Sequence, residues 1–163
     1  MKVSQLVEEL QDSTPYKTFI EQNPDAYFCA AFLILDLTNK TEKIQLDYLI
    51  PKENHIAAFE FPFNNKLNPK IHKDKISQMK PQSTELKVDI DNLEQKVKEV
   101  ISNNESSIRP TKIIAILSNN TWNLTCMNDH LGIVQIKLDA TSEEKIEEFK
   151  KGSLMDFMGF KKV

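Results

Sequence analysis

Glycine is scarce in this chain: there are three, Gly132, Gly152 and Gly159. A phosphate cradle needs several glycines close together, so no Gly-x-Gly-x-x-Gly loop, P-loop or Gly-x-Ser-x-Gly turn can be built. Cysteine is rarer still. Cys29 and Cys126 lie far apart and form no disulfide framework; each falls in a predicted strand, where a thiol behaves as a small apolar side chain. The histidines His55, His72 and His130 are spread over a strand start, a connection and a turn, and none has a partner at the i, i+4 spacing of helical metal ligands. The expectation is therefore no metal and no cofactor.

Long apolar runs are missing too. The longest, Ala26 to Leu35, is well short of the roughly 20 residues that span a bilayer. The N-terminal MKVSQLVEELQDS reaches Glu8 and Glu9 before any apolar run, so neither a secretory signal nor an anchor is expected, and a soluble, cytoplasmic protein follows. Nor is there an excess of positive charge. A formal net charge of −3 argues against a general nucleic-acid binder, which must neutralise phosphates with a concentrated basic surface.

What is present suffices for a core: 163 residues, 40% hydrophobic, with nine phenylalanines. Val3, Leu6, Val7 and Leu10 recur at helical spacing opposite Glu8, Glu9, Gln11 and Asp12. Thr14-Pro15 reads as the N-cap and first turn of a second helical piece ending before Asn23-Pro24, so the two pieces make one bent helical element. Tyr27 to Leu35 is apolar on both alternating faces, the pattern of a central strand covered twice. Lys43 to Ile50 alternates with one side to water, and His55 to Phe61 completes a three-strand meander. From Pro62 to Thr84 the periodicity vanishes, leaving a lysine- and proline-bearing connection.

A helix over 86–103 is predicted to start at Asp89 or Asp91, with an apolar stripe of Ile90, Leu93, Val97, Val100 and Ile101. Ile113 to Leu117, Thr121 to Met127 and Ile133 to Leu138 form a second meander, turning at Ser118-Asn119-Asn120 and Asn128-Asp129-His130. A short acidic helix and an apolar tail close the chain. The fold class is thus α+β: two units, each a helix plus an antiparallel three-strand meander, with helices packed on sheet. The boundaries are 1–62, a connection 63–85, 86–152, and a tail 153–163. Edge-to-edge pairing of the meanders into one sheet is preferred over two separate sheets, because it hides strand edges. Phe28, Phe32, Ile34, Leu93, Val97, Ile114, Ile116 and Leu124 are the expected shared core.

Trp122-Asn123-Leu124-Thr125, followed by Ile136-Lys137-Leu138-Asp139-Ala140-Thr141, resembles the PepSY domain family over about residues 86–145; the first half is similar only in its order of elements. The family places a bulky residue in a middle strand and ends the next strand with an Asp-Ala-x-Thr-Gly turn; here Ser142 and Glu143 follow Asp139-Ala140-Thr141. The resemblance implies a PepSY/cystatin-like tandem fold and a non-catalytic module of the kind implicated in binding or restraining peptidases.

Candidate functional residues are few. Trp122, the one tryptophan, is either a core anchor or a binding aromatic. Leu154, Met155, Phe157, Met158 and Phe160 crowd the tail before Lys161 and Lys162; so much apolar surface seldom stays free in water, and it docks either on its own domain or on a partner. The function expected is a non-enzymatic module binding a protein or peptide. The alternative is a small hydrolase using Cys126 as nucleophile with His130 as base.

Overall fold

The computed structural model describes residues 1–64, 67–73, 79–104, 106–142 and 146–153. Helices α1 (Val3–Gln11) and α2 (Thr14–Gln22) precede strands β1 (Tyr27–Asp36), β2 (Thr41–Ile50), β3 (His55–Glu60) and β4 (Lys70–His72). After them come α3 (Ile90–Asn103), β5 (Lys112–Ser118), β6 (Thr121–Met127), β7 (Gly132–Asp139) and β8 (Ile146–Ser153). All eight strands join one open antiparallel sheet in the order β4-β3-β2-β1-β5-β6-β7-β8. The meanders meet edge to edge, as preferred from the sequence, at a seam where Leu33 faces Ala115 and Leu35 faces Ile113.

Local chemistry explains most element ends. Ser13, one residue before the expected Thr14, caps α2 by accepting the Tyr16 N–H, and Pro15 sits in the first turn, where a missing N–H costs nothing. Asp89 rather than Asp91 caps α3, with Asn92 Oδ1 returning a bond to the Asp89 N–H at 2.7 Å. Asn119 and Asn120 both take positive φ, 49° and 57°, the backbone a tight hairpin needs and asparagine tolerates.

One face of the sheet carries the core. Ala31, Leu33, Leu35, Ile44, Leu46, Tyr48, Ala57, Phe59, Ile113, Ala115, Leu117, Trp122, Leu124 and Cys126 pack in one cluster with the apolar stripes of all three helices. An aromatic group binds α2 to the first meander: the Phe19 ring lies 5.3 Å from Phe59 and Tyr16 5.4 Å from Tyr48, both edge-on.

Four expectations need correction. Phe28, Leu93, Val97 and Leu124 are buried, but Phe32, Ile34 and Ile114 are half-buried and Ile116 is 39% exposed. A register shift between Phe28 and Ala30 inserts an extra residue, so Phe28 shares its face with Ala31 and Leu33 instead of with Phe32. Among the described residues, strand β1 is consequently central but not covered twice: its second face meets a small cluster at one end, where Cys29, Ala30, Leu49 and Ile56 pack with Tyr27 and Met79.

The connection is less bare than its composition predicts. It adds β4 to the β3 edge and buries Phe63 and Gln82, and the Gln82 N–H bonds the Phe28 carbonyl at 2.9 Å. Lastly, Ile146–Ser153 is a strand and not the end of an acidic helix. Its Glu and Lys residues favour helix in isolation, but pairing with β7 satisfies an open edge, brings Phe149 against the core and sets Glu148 across from Lys137. The sheet therefore has eight strands where two three-strand meanders would supply six.

Candidate functional site

The sequence candidates scatter. Trp122 is fully buried, its indole N–H donating to the Val88 carbonyl at 2.7 Å, so it anchors the core and is not a binding aromatic. Cys126 points into the same core, and burial pushes its thiol up to about 12. His130 is exposed in the β6–β7 turn, its backbone N–H held by Asn128 Oδ1. The alternation of β6 explains the separation: Trp122, Leu124 and Cys126 share the covered face, while the turn lies beyond the sheet. Leu154, Met155, Phe157, Met158 and Phe160 lie outside the described residues. Among the described residues no group of three or more His, Cys, Asp or Glu is placed to hold a metal ion.

The corrected face of β1 and β5 produces a feature that sequence reading missed. Phe32 stands directly opposite Ile116, and Ile34 opposite Ile114, so four apolar side chains form a two-by-two block at the centre of the sheet. They belong to neither packed cluster. Lys43 and Gln45 on β2 and Asn123 and Thr125 on β6 stand beside them in register, which gives an apolar centre with a polar rim, the anatomy of a binding surface. The available signal was the double alternation of Ile113 to Leu117 and of Phe28 to Leu35, where a second apolar face implies a second cover.

Toward β2 the same face becomes polar. Asp47 is half-buried; desolvation lifts its carboxyl above the usual range, against a 2.8 Å hydrogen bond from Gln45 Nε2 and the field of His72. Cys29 nearby donates from Sγ to the Asp47 carbonyl at 3.4 Å, and burial first, then the Asp47 charge, raises its thiol to about 12. Neither thiol is an available nucleophile in this state.

The helical side offers a groove of about 450 Å³ between α2 and the β3–β4 edge, lined in part by Phe19, Ile50, His55, Pro69 and Ile71. Two of its lining residues pair with each other, His55 Nδ1 with Glu53 at 3.1 Å. Its volume suits a small ligand.

No family model and no curated protein matches this sequence. Among solved structures, the fold is similar to that of a Clostridium difficile 630 protein described as a "putative lipoprotein", with a TM-score of 0.51 and 14% identity, covering 83% of this chain and 89% of that one. At that identity the likeness is one of fold. No helix among the described residues is long and apolar enough to cross a membrane.

Proposed function

We propose that this chain is a non-enzymatic module that binds a protein or peptide partner on the open face of its sheet. The observation that carries this reading is the block of Phe32, Ile34, Ile114 and Ile116, which the fold presents without a cover among the described residues. At about 25 cal/mol per Å², covering a few hundred Å² of apolar surface gives several kcal/mol, suited to a reversible, roughly micromolar contact. The hydrolase alternative gains no support from the geometry, since Cys126 would have to leave the core to meet a substrate.

The resemblance to PepSY domains supports the same class of function. The order helix, strand, strand, strand occurs twice, as α2-β1-β2-β3 and α3-β5-β6-β7, which favours a tandem origin of the two units. The partner implied is a segment with bulky apolar side chains.

Selection from a random peptide library displayed on phage tests the proposal. The expectation is enrichment of sequences carrying several bulky apolar residues, binding at least tenfold more weakly to an Ile114→Lys/Ile116→Lys variant of unchanged melting temperature. Binding that ignores this variant but depends on Ile71 would move the site to the α2 groove. Absence of any enrichment would defeat the proposal.

A further inference from the structure

We infer that β8 is a dimerisation edge: two copies of this chain join β8 to β8, antiparallel, about a two-fold axis at Phe149, so that their sheets become one. The inference is independent of the peptide-binding reading of the open face.

The two outer strands differ in what they leave unpaired. Strand β4 has three residues, a poor template for another strand, whereas β8 has eight and, among the described residues, pairs with β7 alone. A row of outward N–H and C=O groups of that length invites a partner strand. The irregularity in the β7–β8 ladder falls between Lys137 and Leu138, so Glu148, Phe149 and Lys150 all lie in its regular part.

Charge then selects both the partner and the register. Glu147-Glu148-Phe149-Lys150-Lys151 inverts its charges when read backwards, the pattern that antiparallel pairing with a second copy of itself requires. A two-fold axis normal to the sheet keeps like faces together, so it passes through one residue and its own copy. Centred on Phe149, it sets Glu148 of each copy directly opposite Lys150 of the other. Centred on Glu148, Lys150 or Lys151, it sets that residue against its own like charge, which destabilises a cross-strand pair. Within one chain Glu148 already draws Lys137 at 3.7 Å and Lys150 at 2.7 Å. The joined sheet extends this into a row of alternating sign: Lys137, Glu148, then Lys150 of the second copy.

Phe149 supplies the apolar half of the contact. It stands opposite Ile136 on the helix-covered face, packed against the core yet still half-buried. About the axis two Phe149 side chains meet, and the row on that face reads Ile136, Phe149, Phe149, Ile136. A strand-to-strand contact is smaller than the roughly 800 Å² per partner of a standard interface, so the dimer is reversible, with affinity in the micromolar range.

Sedimentation equilibrium of the full chain tests the inference. The chain should pass from monomer to dimer over the micromolar range and go no further. Glu148→Lys and Lys150→Glu should each weaken dimerisation at least tenfold, since each sets like charges opposite one another. An equimolar mixture of the two variants should dimerise at least as tightly as the original chain, because every facing pair is again of opposite sign. Both substitutions also alter the pairs that Glu148 makes within its own chain, so amide exchange of the unaltered protein gives a second reading. Alternate amides of β8 should exchange at least tenfold more slowly at high chain concentration than at low, while those of β4 keep their rates.

A chain that stays monomeric to millimolar concentration overturns the inference. So does a dimer that survives both variants and leaves exchange at β8 unchanged; if Ile114→Lys/Ile116→Lys abolishes that dimer, the open face is the contact instead. Loss in both variants without recovery in the mixture overturns the register centred on Phe149. Growth beyond a dimer overturns the closed pair in favour of β8 meeting β4 of the next copy.

Discussion

The carboxylate of Asp89 accepts the backbone N–H of Val3 at 2.8 Å, a buried bond between positions 86 residues apart. The same Oδ1 accepts the Ile90 N–H at 2.8 Å, so one side chain serves the first turns of both α1 and α3. Each helix start has orphan donors, and here their positive ends share one acidic partner.

Replacing Asp89 by Ala should therefore cost more than an ordinary cap. Losing the α3 cap costs about 1 kcal/mol, and leaving the buried Val3 N–H unpaired adds about 1–3. Urea titration of Asp89→Ala should show a loss of about 2–4 kcal/mol, with Asp89→Asn clearly milder. A loss confined to a few tenths would mean that the bond to Val3 contributes nothing.

Adjacent residues on β5 give a sharp contrast. Leu117 is fully buried and Ile116 is 39% exposed. Leu117→Ala should cost about 2–5 kcal/mol, whereas Ile116→Thr, on the open face, should stay below about 1 kcal/mol. The reverse order would put the helices on the wrong side of the sheet.

That contrast also marks where sequence reading stopped. Helix and strand positions were legible because α1, α3, β2 and β6 each have a clean period; Leu93 and Val97 fell in the core as expected. In β1 and β5 both alternating sets are apolar, so period alone does not choose a face, and the extra residue between Phe28 and Ala30 then reverses the parity counted from Phe28. Strand β8 was hidden for a different reason: its charged composition has helical propensity, and only the vacancy beside β7 decides otherwise. The open-face block, which lies on β1 and β5, inherited the first difficulty.

Trp122 offers a test by fluorescence. Fully buried and bonded to Val88, it should emit in the blue-shifted range of apolar sites and resist acrylamide quenching in the native state. Trp122→Phe should cost about 1–3 kcal/mol, as the Val88 carbonyl loses its donor and a void opens. Ready quenching of the native protein would contradict the burial.

The two thiols fix a pH dependence. Both Cys29 and Cys126 are raised from 9.0 to about 12 in the fold, first by burial. Between those values the unfolded chain has released its thiol protons and the native chain retains them, so stability falls as pH rises through that window and is insensitive to these groups below it. Melting temperatures should decline from about pH 9 upward, and less so in a Cys29→Ala/Cys126→Ala chain compared with its own value at pH 7. Iodoacetamide at pH 8 should leave both thiols unmodified until denaturant is added; rapid native labelling at Cys126 would reopen a nucleophilic role.

The seam between β1 and β5 has a consequence for the order in which the molecule is assembled. The hairpins β1–β2, β2–β3, β5–β6 and β6–β7 join neighbours in sequence, but Leu33 and Ala115 can meet only after everything between them has been made. Contacts of such wide separation close late and slow the search for the native topology. During synthesis, the β5-facing edge of β1, one of the most apolar strands in the chain, stays unpaired until β5 has left the ribosome, and in that interval it is a template for another nascent chain.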